Sequence, residues 1–282
     1  MTDITMPHIW LPRYNFPGRS RICLPEEKDL RAFFAGLVNT GMINSGHALA
    51  NAGVIRAHAP LAPPTPDRGW FIAGVGNYQD TAGTTPATAN NDPVKRANDQ
   101  GSGGNNLTEY VSNHPPHLKT DPAFTLNGLP VVQFSAGSTE SLASGTVTGI
   151  SGWTQFIVVY PTSAASIWFS GPSGNGQCWY DATGHFVNMY AGSTVQYSIT
   201  LPGSTWFYFS FVFNGASSFM YKNGVQVATG NVGAGQQTGF RIGTDTATYF
   251  DGYCAEALWY ASVLNTADRQ QVEAYLAAKY AL

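Results

Sequence analysis

The sequence predicts a mainly β protein: an antiparallel β-sandwich with a C-terminal capping helix and a small, partly helical N-terminal region. Charged residues make up only 11% of the chain, against roughly 25% in an average soluble domain, and 31 glycines favour strands and turns. Short runs of aromatic and β-branched residues recur from Trp70 onward, separated by Gly, Ser and Pro clusters. The chain ends differently, because NTADRQQVEAYLAAKYAL follows helical spacing.

Residues 1–68 differ in character from those that follow. The stretch LPEEKDLRAFFAGLVN places a proline and two glutamates where a helix would begin, and its apolar residues recur at helical spacing from Leu30 to Leu37. GHALANAGVIRAHAP predicts a weak helix or an irregular arm. APLAPPTPDRG holds four prolines and predicts a stiff, extended linker. We therefore expect an N-terminal anchoring or oligomerisation region over residues 1–68 and a sandwich domain over residues 69–282.

The strands of the sandwich are predicted from short runs bounded by turn residues. The clearest runs are WTQFIVVY (153–160), SIWFS (166–170), QCWYD (177–181), HFVNMY (185–190), VQYSIT (195–200) and WFYFSFVFN (206–214). In the last run, the two-residue period of a strand points Phe207, Phe209, Phe211 and Phe213 to one face. Four phenylalanines on one face need a second layer to cover them, which favours a sandwich.

One hairpin and the tail can be assigned in more detail. In SFMYKNGVQVATG, Asn223 and Gly224 supply the positive φ angles of a two-residue turn. In the tail, Asn265 is the predicted N-cap, and Asp268 completes a capping box. The predicted apolar stripe comprises Val272, Tyr275, Leu276, Lys279 and Tyr280, with Gln270, Gln271 and Glu273 outside it. We expect this helix to lie across an open edge or end of the sandwich.

Three stretches of the chain match the patterns of a known fold family. They are ANDQGSGGNNLTE (97–109), NGLPVVQFSAGSTESLAS (127–144) and AEALWYASVLNTADRQQVEAYLAAKYAL (255–282). The first is similar to a W-x-D-x-S-G-x-G-N turn, with Asp99 and Gly104 matching and Ala97 in place of the usual Trp. Together they resemble the concanavalin A-like lectin/glucanase superfamily, specifically the LamG-like jelly-roll modules of phage and bacterial surface proteins. The resemblance implies a jelly-roll over roughly residues 70–282, and it leaves the ligand open because this fold hosts lectins, enzymes and structural modules.

The residues favour no catalytic chemistry. A glycosidase needs two carboxylates about 5 to 9.5 Å apart across the sugar, whereas Glu256 is the only acid on its predicted strand. No G-x-S-x-G nucleophile elbow occurs, and the histidines lie mostly in the N-terminal arm or beside prolines. We therefore expect a protein without enzymatic activity.

Charge, hydropathy and cysteine content exclude further classes. A net charge of −3 and a pI near 6.0 argue against nucleic-acid binding. No apolar run is long enough to span a membrane, and the first 21 residues lack the pattern of a secretory signal, so we expect synthesis in the cytoplasm without a signal peptide. Cys23, Cys178 and Cys254 are too few and too scattered for a disulfide framework or a zinc site.

Two sets of residues are candidate ligand sites. Carbohydrate binding would use aromatic rings as stacking platforms beside amides and carboxylates. The candidates are Trp168, Trp179, Tyr180, Asp181, Asn188 and Tyr190, together with Trp206 and Tyr208 from the even face of the phenylalanine-rich strand. Calcium is the one cofactor that the residues suggest, through Asp92, Asp99, Asp245 and Asp251 in Asn- and Gly-rich turns.

The leading hypothesis for function is a spike or fibre on the surface of a virion or phage-like particle. Residues 1–68 would attach to other structural proteins of the particle and form a homo-oligomer, and the jelly-roll would bind a host surface polysaccharide. Low charge, a surface rich in Gly, Ser and Thr and the lack of a predicted signal peptide favour this hypothesis. The alternatives are a capsid or tail decoration protein that binds no glycan, and a secreted glycan-binding or glycan-cleaving protein.

Overall fold

The computed structural model describes residues 62–162, 165–181, 185–199 and 205–282. The helix predicted near residues 25–40, the arm that follows it and Cys23 lie outside the described residues. Within these ranges the chain forms two antiparallel sheets and one long C-terminal helix, so the predicted mainly β, jelly-roll-like sandwich is confirmed. No described helix combines the length and the apolar character needed to cross a membrane.

Most strands of the described ranges are short, as expected of a chain rich in Gly, Ser and Pro, although Trp153–Pro161 and Gly252–Tyr260 have nine residues each. In chain order they are β1 (Gly69–Ile72), β2 (Asn77–Tyr78), β3 (Arg96–Ala97), β4 (Leu107–Glu109), β5 (His117–Lys119), β6 (Val131–Phe134), β7 (Leu142–Ala143), β8 (Trp153–Pro161), β9 (Ala165–Ser170), β10 (Gln177–Asp181), β11 (Phe186–Tyr190), β12 (Thr194–Ser198), β13 (Phe207–Phe213), β14 (Ser218–Lys222), β15 (Val225–Gly230), β16 (Arg241–Ile242) and β17 (Gly252–Tyr260). The helix α1 spans Thr266–Tyr280, and short 3₁₀ turns cover Ala136–Ser138 and Gly215–Ser217.

The two sheets have the crossed connections of a jelly-roll. The first sheet has the order β15-β14-β13-β8-β17-β6-β5, and β1 also pairs with β17. The second sheet has the order β12-β11-β10-β9-β16-β7-β4-β3-β2. Strands that are distant in sequence, such as β8 and β17, therefore lie side by side, and the chain passes repeatedly between the sheets.

The core lies between the sheets, where the predicted phenylalanine face of β13 is confirmed. Phe207, Phe209, Phe211 and Phe213 are each at most 2% exposed and point inward, as the two-residue period requires. Ring contacts continue the packing, because Trp153 stacks on Phe213 with a centroid distance of 4.3 Å. The predicted hairpin is also confirmed: Asn223 and Gly224, both with positive φ, join β14 to β15.

Helix α1 begins at the predicted cap. Asn265 Oδ1 accepts a hydrogen bond from Asp268 N at 2.9 Å. Asp268 completes the motif in a modified way, because its carboxylate accepts from the side-chain amide of Asn265 at 2.7 Å instead of from the backbone N–H of a capping box. The helix ends at Tyr280 and is followed by Ala281, whose positive φ makes it an αL cap.

The apolar stripe of α1 packs on the outer face of the first sheet. Val272, Leu276 and Tyr280 are buried there against Phe156, Val158, Tyr208, Leu258 and Tyr260. The expectation that the helix would cross an edge or an end of the sandwich was wrong, because β8, β13 and β17 carry apolar residues on both faces and their outer face also needs a cover.

Glu273 was predicted to lie outside the stripe, and this prediction was wrong. Its side chain is buried, where it pairs with Arg269 one turn earlier on the helix and accepts a hydrogen bond from Ser210 Oγ at 2.8 Å. Arg269 is itself buried and lies over the ring of Tyr221, 3.6 Å from its centroid. The buried charge of Glu273 is therefore compensated, which is the condition under which a carboxylate can leave the surface.

Glu256 fastens the other end of α1 to the sheet. Its carboxylate, which is almost fully buried on β17, accepts hydrogen bonds from Lys279 Nζ (2.6 Å), Tyr280 OH (2.7 Å) and Tyr275 OH (3.0 Å), all on the helix. The indole of Trp70 on β1 donates a further bond at 2.6 Å. Both oxygens are thus occupied, so Glu256 has a structural role.

Residues 62–68 pack on the sandwich. Tyr260 OH donates to the carbonyl of Pro64 at 2.7 Å, and Ala261 N donates to Asp67 Oδ1 at 2.7 Å. The backbone of Pro66 passes so close to Gly101 that a β-carbon there would lie 2.3 Å from its carbonyl oxygen, which explains a glycine at this position. The assignment of residues 1–68 to an anchoring region stays a prediction. Residues 62–68, the described part of that region, pack against the sandwich domain.

Candidate functional site

Strands β10, β11 and β12 of the second sheet present a face of aromatic and polar side chains away from the core. Their inward positions, including Cys178, Val187, Met189 and Val195, are buried between the sheets. The intervening positions therefore point to the opposite side. We call this outward surface the Trp179 face; it comprises Gln177, Trp179, Asp181, Phe186, Asn188, Tyr190, Thr194, Gln196 and Ser198.

Strand register arranges these nine residues as a grid of three rows. The rows are Gln177–Tyr190–Thr194, Trp179–Asn188–Gln196 and Asp181–Phe186–Ser198. Neighbouring strands lie about 4.8 Å apart and alternate residues about 6.8 Å apart, so the grid measures about 10 by 14 Å. Each row carries one aromatic ring and two polar side chains, and this is the spacing at which a short oligosaccharide could contact several of them at once.

Exposure differs across the grid. Thr194, Gln196 and Ser198 are exposed, and Trp179 and Tyr190 are partly exposed. Asn188 is only 1% exposed; its amide donates to the carbonyl of Phe186 at 3.2 Å and accepts from Gln196 Nε2 at 2.8 Å. Asn188 therefore forms the floor of the face and orients Gln196.

The structure brings together four of the eight predicted carbohydrate-binding residues, namely Trp179, Asp181, Asn188 and Tyr190. Trp168 and Tyr180 belong to the core instead. Trp168 is 0% exposed, and its ring centroid lies 5.8 Å from that of Phe207 and 5.4 Å from that of Phe209. Tyr180 points inward because it alternates with Trp179 along β10. Neither can offer a ring face to a sugar.

Tyr208 lies on β13 of the other sheet and Trp206 immediately precedes that strand, so neither is part of the Trp179 face. Tyr208 is 3% exposed within the cluster that α1 covers, and burial raises the pKa of its phenol well above the ordinary value. Trp206 packs against Tyr160 and Tyr253, with centroid distances of 5.4 and 6.4 Å. The structure therefore separates both residues from the other candidates, and the sequence could not show this because strand order cannot be derived from the strand sequences alone.

Five residues of the Trp179 face were missed: Gln177, Phe186, Thr194, Gln196 and Ser198. All lie on or beside stretches that were predicted as strands, so the alternation of the residues was visible in the sequence. The pairing of β11 with both β10 and β12 was the missing information. It places Gln196 beside Asn188 and Phe186 beside Asp181.

Three of the four predicted calcium ligands already accept hydrogen bonds from backbone N–H groups, and the calcium assignment stays a prediction. Asp92, Asp99 and Asp245 each accept hydrogen bonds from backbone N–H groups of nearby residues, so they stabilise turns. Asp99 also links its loop to β1, because it accepts from Trp70 N at 2.8 Å. Asp251 acts electrostatically on Glu140. In the described ranges, no group of three or more His, Cys, Asp or Glu side chains is arranged to hold a metal ion.

No family model and no curated protein sequence matches this chain. Among solved structures, it is similar to a protein described as carbohydrate-binding from Bacteroides ovatus, with 14% identity and a TM-score of 0.39 over 44% of this chain and 41% of the other. Domain 4 of an extracellular arabinanase from Geobacillus stearothermophilus, solved with arabinotriose, has 14% identity and a TM-score of 0.40 over 75% of this chain and 98% of that domain. A sialidase from Trypanosoma rangeli has 12% identity and a TM-score of 0.45 over 74% of this chain and 36% of its own. Because the similarity is so low, the function of this chain has to be inferred from its own surface residues.

Proposed function

We propose that this protein is a concanavalin A-like sandwich that binds carbohydrate through the Trp179 face. The observation that carries the proposal is the grid on β10–β12, in which one aromatic ring per row stands beside amide, hydroxyl and carboxylate groups. The C–H face of a pyranose ring packs on an aromatic ring, and its hydroxyls pair with the flanking polar groups. A single sheet face supplies both kinds of contact.

The proposed activity is binding without cleavage. Hydrolysis needs an acid and a second carboxylate on opposite sides of the bond. The Trp179 face holds one carboxylate, Asp181. The carboxylates of Glu256 and Glu273 are buried under α1, where Lys279 and Arg269 compensate them.

We further propose that the protein serves as a spike or fibre on the surface of a phage-like particle, where it recognises a host surface polysaccharide. The low charge and the surface rich in Gly, Ser and Thr support this role. Residues 1–68 would attach the protein to other particle proteins and bring several copies together. Several weak sites on one particle would then bind a repetitive polysaccharide far more tightly than one site.

The first test is a glycan array probed with the full chain, followed by titration of the best ligand against Trp179→Ala. Removal of the central ring should weaken binding at least about tenfold, since buried aromatic anchors carry a large part of binding energy. Phe124→Ala is the matched control, because Phe124 is a 41% exposed ring outside the Trp179 face, and it should leave the affinity unchanged.

Other outcomes would separate the alternatives. If the wild-type chain binds no glycan at millimolar concentration, the protein is a capsid or tail decoration protein that binds no glycan, and the proposed spike that binds a host polysaccharide is rejected. Release of reducing sugar ends from a bound polysaccharide would instead favour a glycan-cleaving protein. Equal affinities of Trp179→Ala and the wild type would mean that the sugar binds somewhere else.

A further inference from the structure

Glu140 differs from the other buried glutamates of the described residues. Glu256 and Glu273 have both a cation and hydroxyl donors as partners. Glu140 is 6% exposed, and its Oε2 accepts one bond, from Ser135 N at 2.9 Å. In the described part of the chain, the partner of Oε1 is the imidazole Nδ1 of His117 at 3.5 Å, which is long for a hydrogen bond. The buried carboxyl group of Glu140 can therefore form further hydrogen bonds.

This carboxyl group lines an open cleft of about 620 Å³. That volume falls within the range of roughly 300–1,000 Å³ that is typical of small-molecule sites. The polar side chains of the lining are Lys95, Asn113, His114, His117, Ser138 and Glu140. Most of them can donate hydrogen bonds, and no Phe, Tyr or Trp side chain lines the cleft.

The charges around Glu140 make the cleft suited to an anion. His114 Nδ1 lies 2.5 Å from the carbonyl of Ser138, which can only accept, so Nδ1 carries a proton. Lys119 acts electrostatically on both Glu140 and His117. Lys95 makes a loose ion pair with Glu109 at 3.9 Å, which leaves its ammonium group able to contact a ligand.

Burial raises the pKa of Glu140 to about 7, and the nearby Asp251 adds to the effect, while Ser135 N–H, Lys119 and His114 oppose it. Burial lowers the pKa of His117, and Lys119 lowers it further. Near neutral pH, the carboxyl group of Glu140 is therefore protonated in a substantial fraction of the molecules. A protonated carboxyl group donates a hydrogen bond, whereas a carboxylate would repel an anionic ligand.

We propose that this cleft binds the carboxylate of an acidic sugar, such as a uronic acid, with Glu140, Lys95 and His117 as donors. Asn113 and Ser138 supply partners for ring hydroxyls. The site is separate from the Trp179 face and does not depend on it. A polysaccharide that carries acidic residues would be the natural source of the ligand.

The test is titration of the full chain with sodium glucuronate, followed by ligand-observed NMR, with glucose as the neutral control. Between about pH 7 and pH 8.5, wild-type affinity should fall about tenfold as Glu140 loses its proton. Glu140→Gln should keep the affinity nearly constant over this interval, because its amide can accept from Ser135 N and still donate into the cleft. Glu140→Leu should bind at least about tenfold more weakly than the wild type at pH 7 and should show no further fall toward pH 8.5, and Trp179→Ala should bind glucuronate as the wild type does.

Several results would overturn the proposal. These are equal binding of glucose and glucuronate, no glucuronate binding at about 20 mM, or a pH dependence of Glu140→Gln that matches the wild type. Equal binding of N-acetylaspartate would assign the cleft to carboxylates of peptides instead of acidic sugars. If Glu140→Leu does not fold, as judged by circular dichroism, the pH profile of Glu140→Gln decides the matter. Failure of glycans to bind the Trp179 face would leave all of these outcomes unchanged.

Discussion

Single residues of similar type have different roles here because their surroundings differ. Trp168 and Trp179 lie on neighbouring strands, yet the former is enclosed by phenylalanines and the latter stands on the outer face. The glutamates divide in the same way. Glu256 and Glu273 hold the helix to the sheet, whereas Glu140 faces a cleft.

Glu140 should also make stability depend on pH. Its pKa in the folded protein, about 7, lies above the ordinary value of 4.5, so the folded state binds a proton more strongly than the unfolded state. The protonated carboxyl group thus contributes stability that is fully present below about pH 4.5 and is lost as the pH rises through about 7. Urea denaturation at several pH values should reveal this loss in the wild type and its absence in Glu140→Gln.

The comparison with Glu140→Gln isolates this effect. His117, whose pKa is lowered, acts in the opposite direction, since its neutral form is favoured by folding. Both chains share that contribution, so it cancels in the difference between them. A difference in free energy of unfolding that stays constant across the pH range would contradict the prediction.

At the scale of elements, helix α1 combines a hydrophobic cover with two buried ionic contacts. The sequence predicted its start and, apart from Glu273, its buried stripe. It did not predict the surface beneath the helix, because the partners of the stripe come from β8, β13 and β17. Glu273 was misplaced for the same reason: Ser210 and Tyr221, which make its burial tolerable, are far away in sequence.

Replacing Glu256 should loosen this helix. Glu256→Leu leaves the partly buried ammonium of Lys279 without its carboxylate and removes the acceptor of Trp70 Nε1 and Tyr280 OH. Loss of one partner of a buried ion pair typically costs about 3–5 kcal/mol. Urea denaturation measures the change, and Gln270→Ala, at an exposed position of the same helix, should alter stability by less than about 0.5 kcal/mol. A small effect of Glu256→Leu would mean that apolar packing alone holds the helix.

At the scale of the whole molecule, the sandwich includes the segment just before its first strand. Residues 62–68 contact β17, α1 and the loop that contains Gly101. The proline-rich composition predicted an extended segment, and hydrogen bonds to the sandwich hold its described part in place.

The contacts of residues 62–68 can be tested by truncation. A chain that begins at Ala62 should be more stable than one that begins at Gly69 by at least about 2 kcal/mol, since several hydrogen bonds at roughly 0.5–1.5 kcal/mol each are lost, along with the acceptor of a buried tyrosine. The two free energies of unfolding, measured in urea, give the difference directly. Equal values would show that the segment only rests on the sandwich.

The β character, most strands, the Asn223–Gly224 turn, the inward phenylalanines and the helix with its cap could all be predicted from the sequence. These features depend on residues close to one another in the chain, so spacing and turn chemistry specify them. The fold was needed to see which aromatic rings are exposed, on which surface the helix lies and which buried carboxylates pair with a cation. Each of these features depends on strand order and register, which are set by contacts between residues far apart in the chain. Such contacts cannot be predicted from the local sequence pattern.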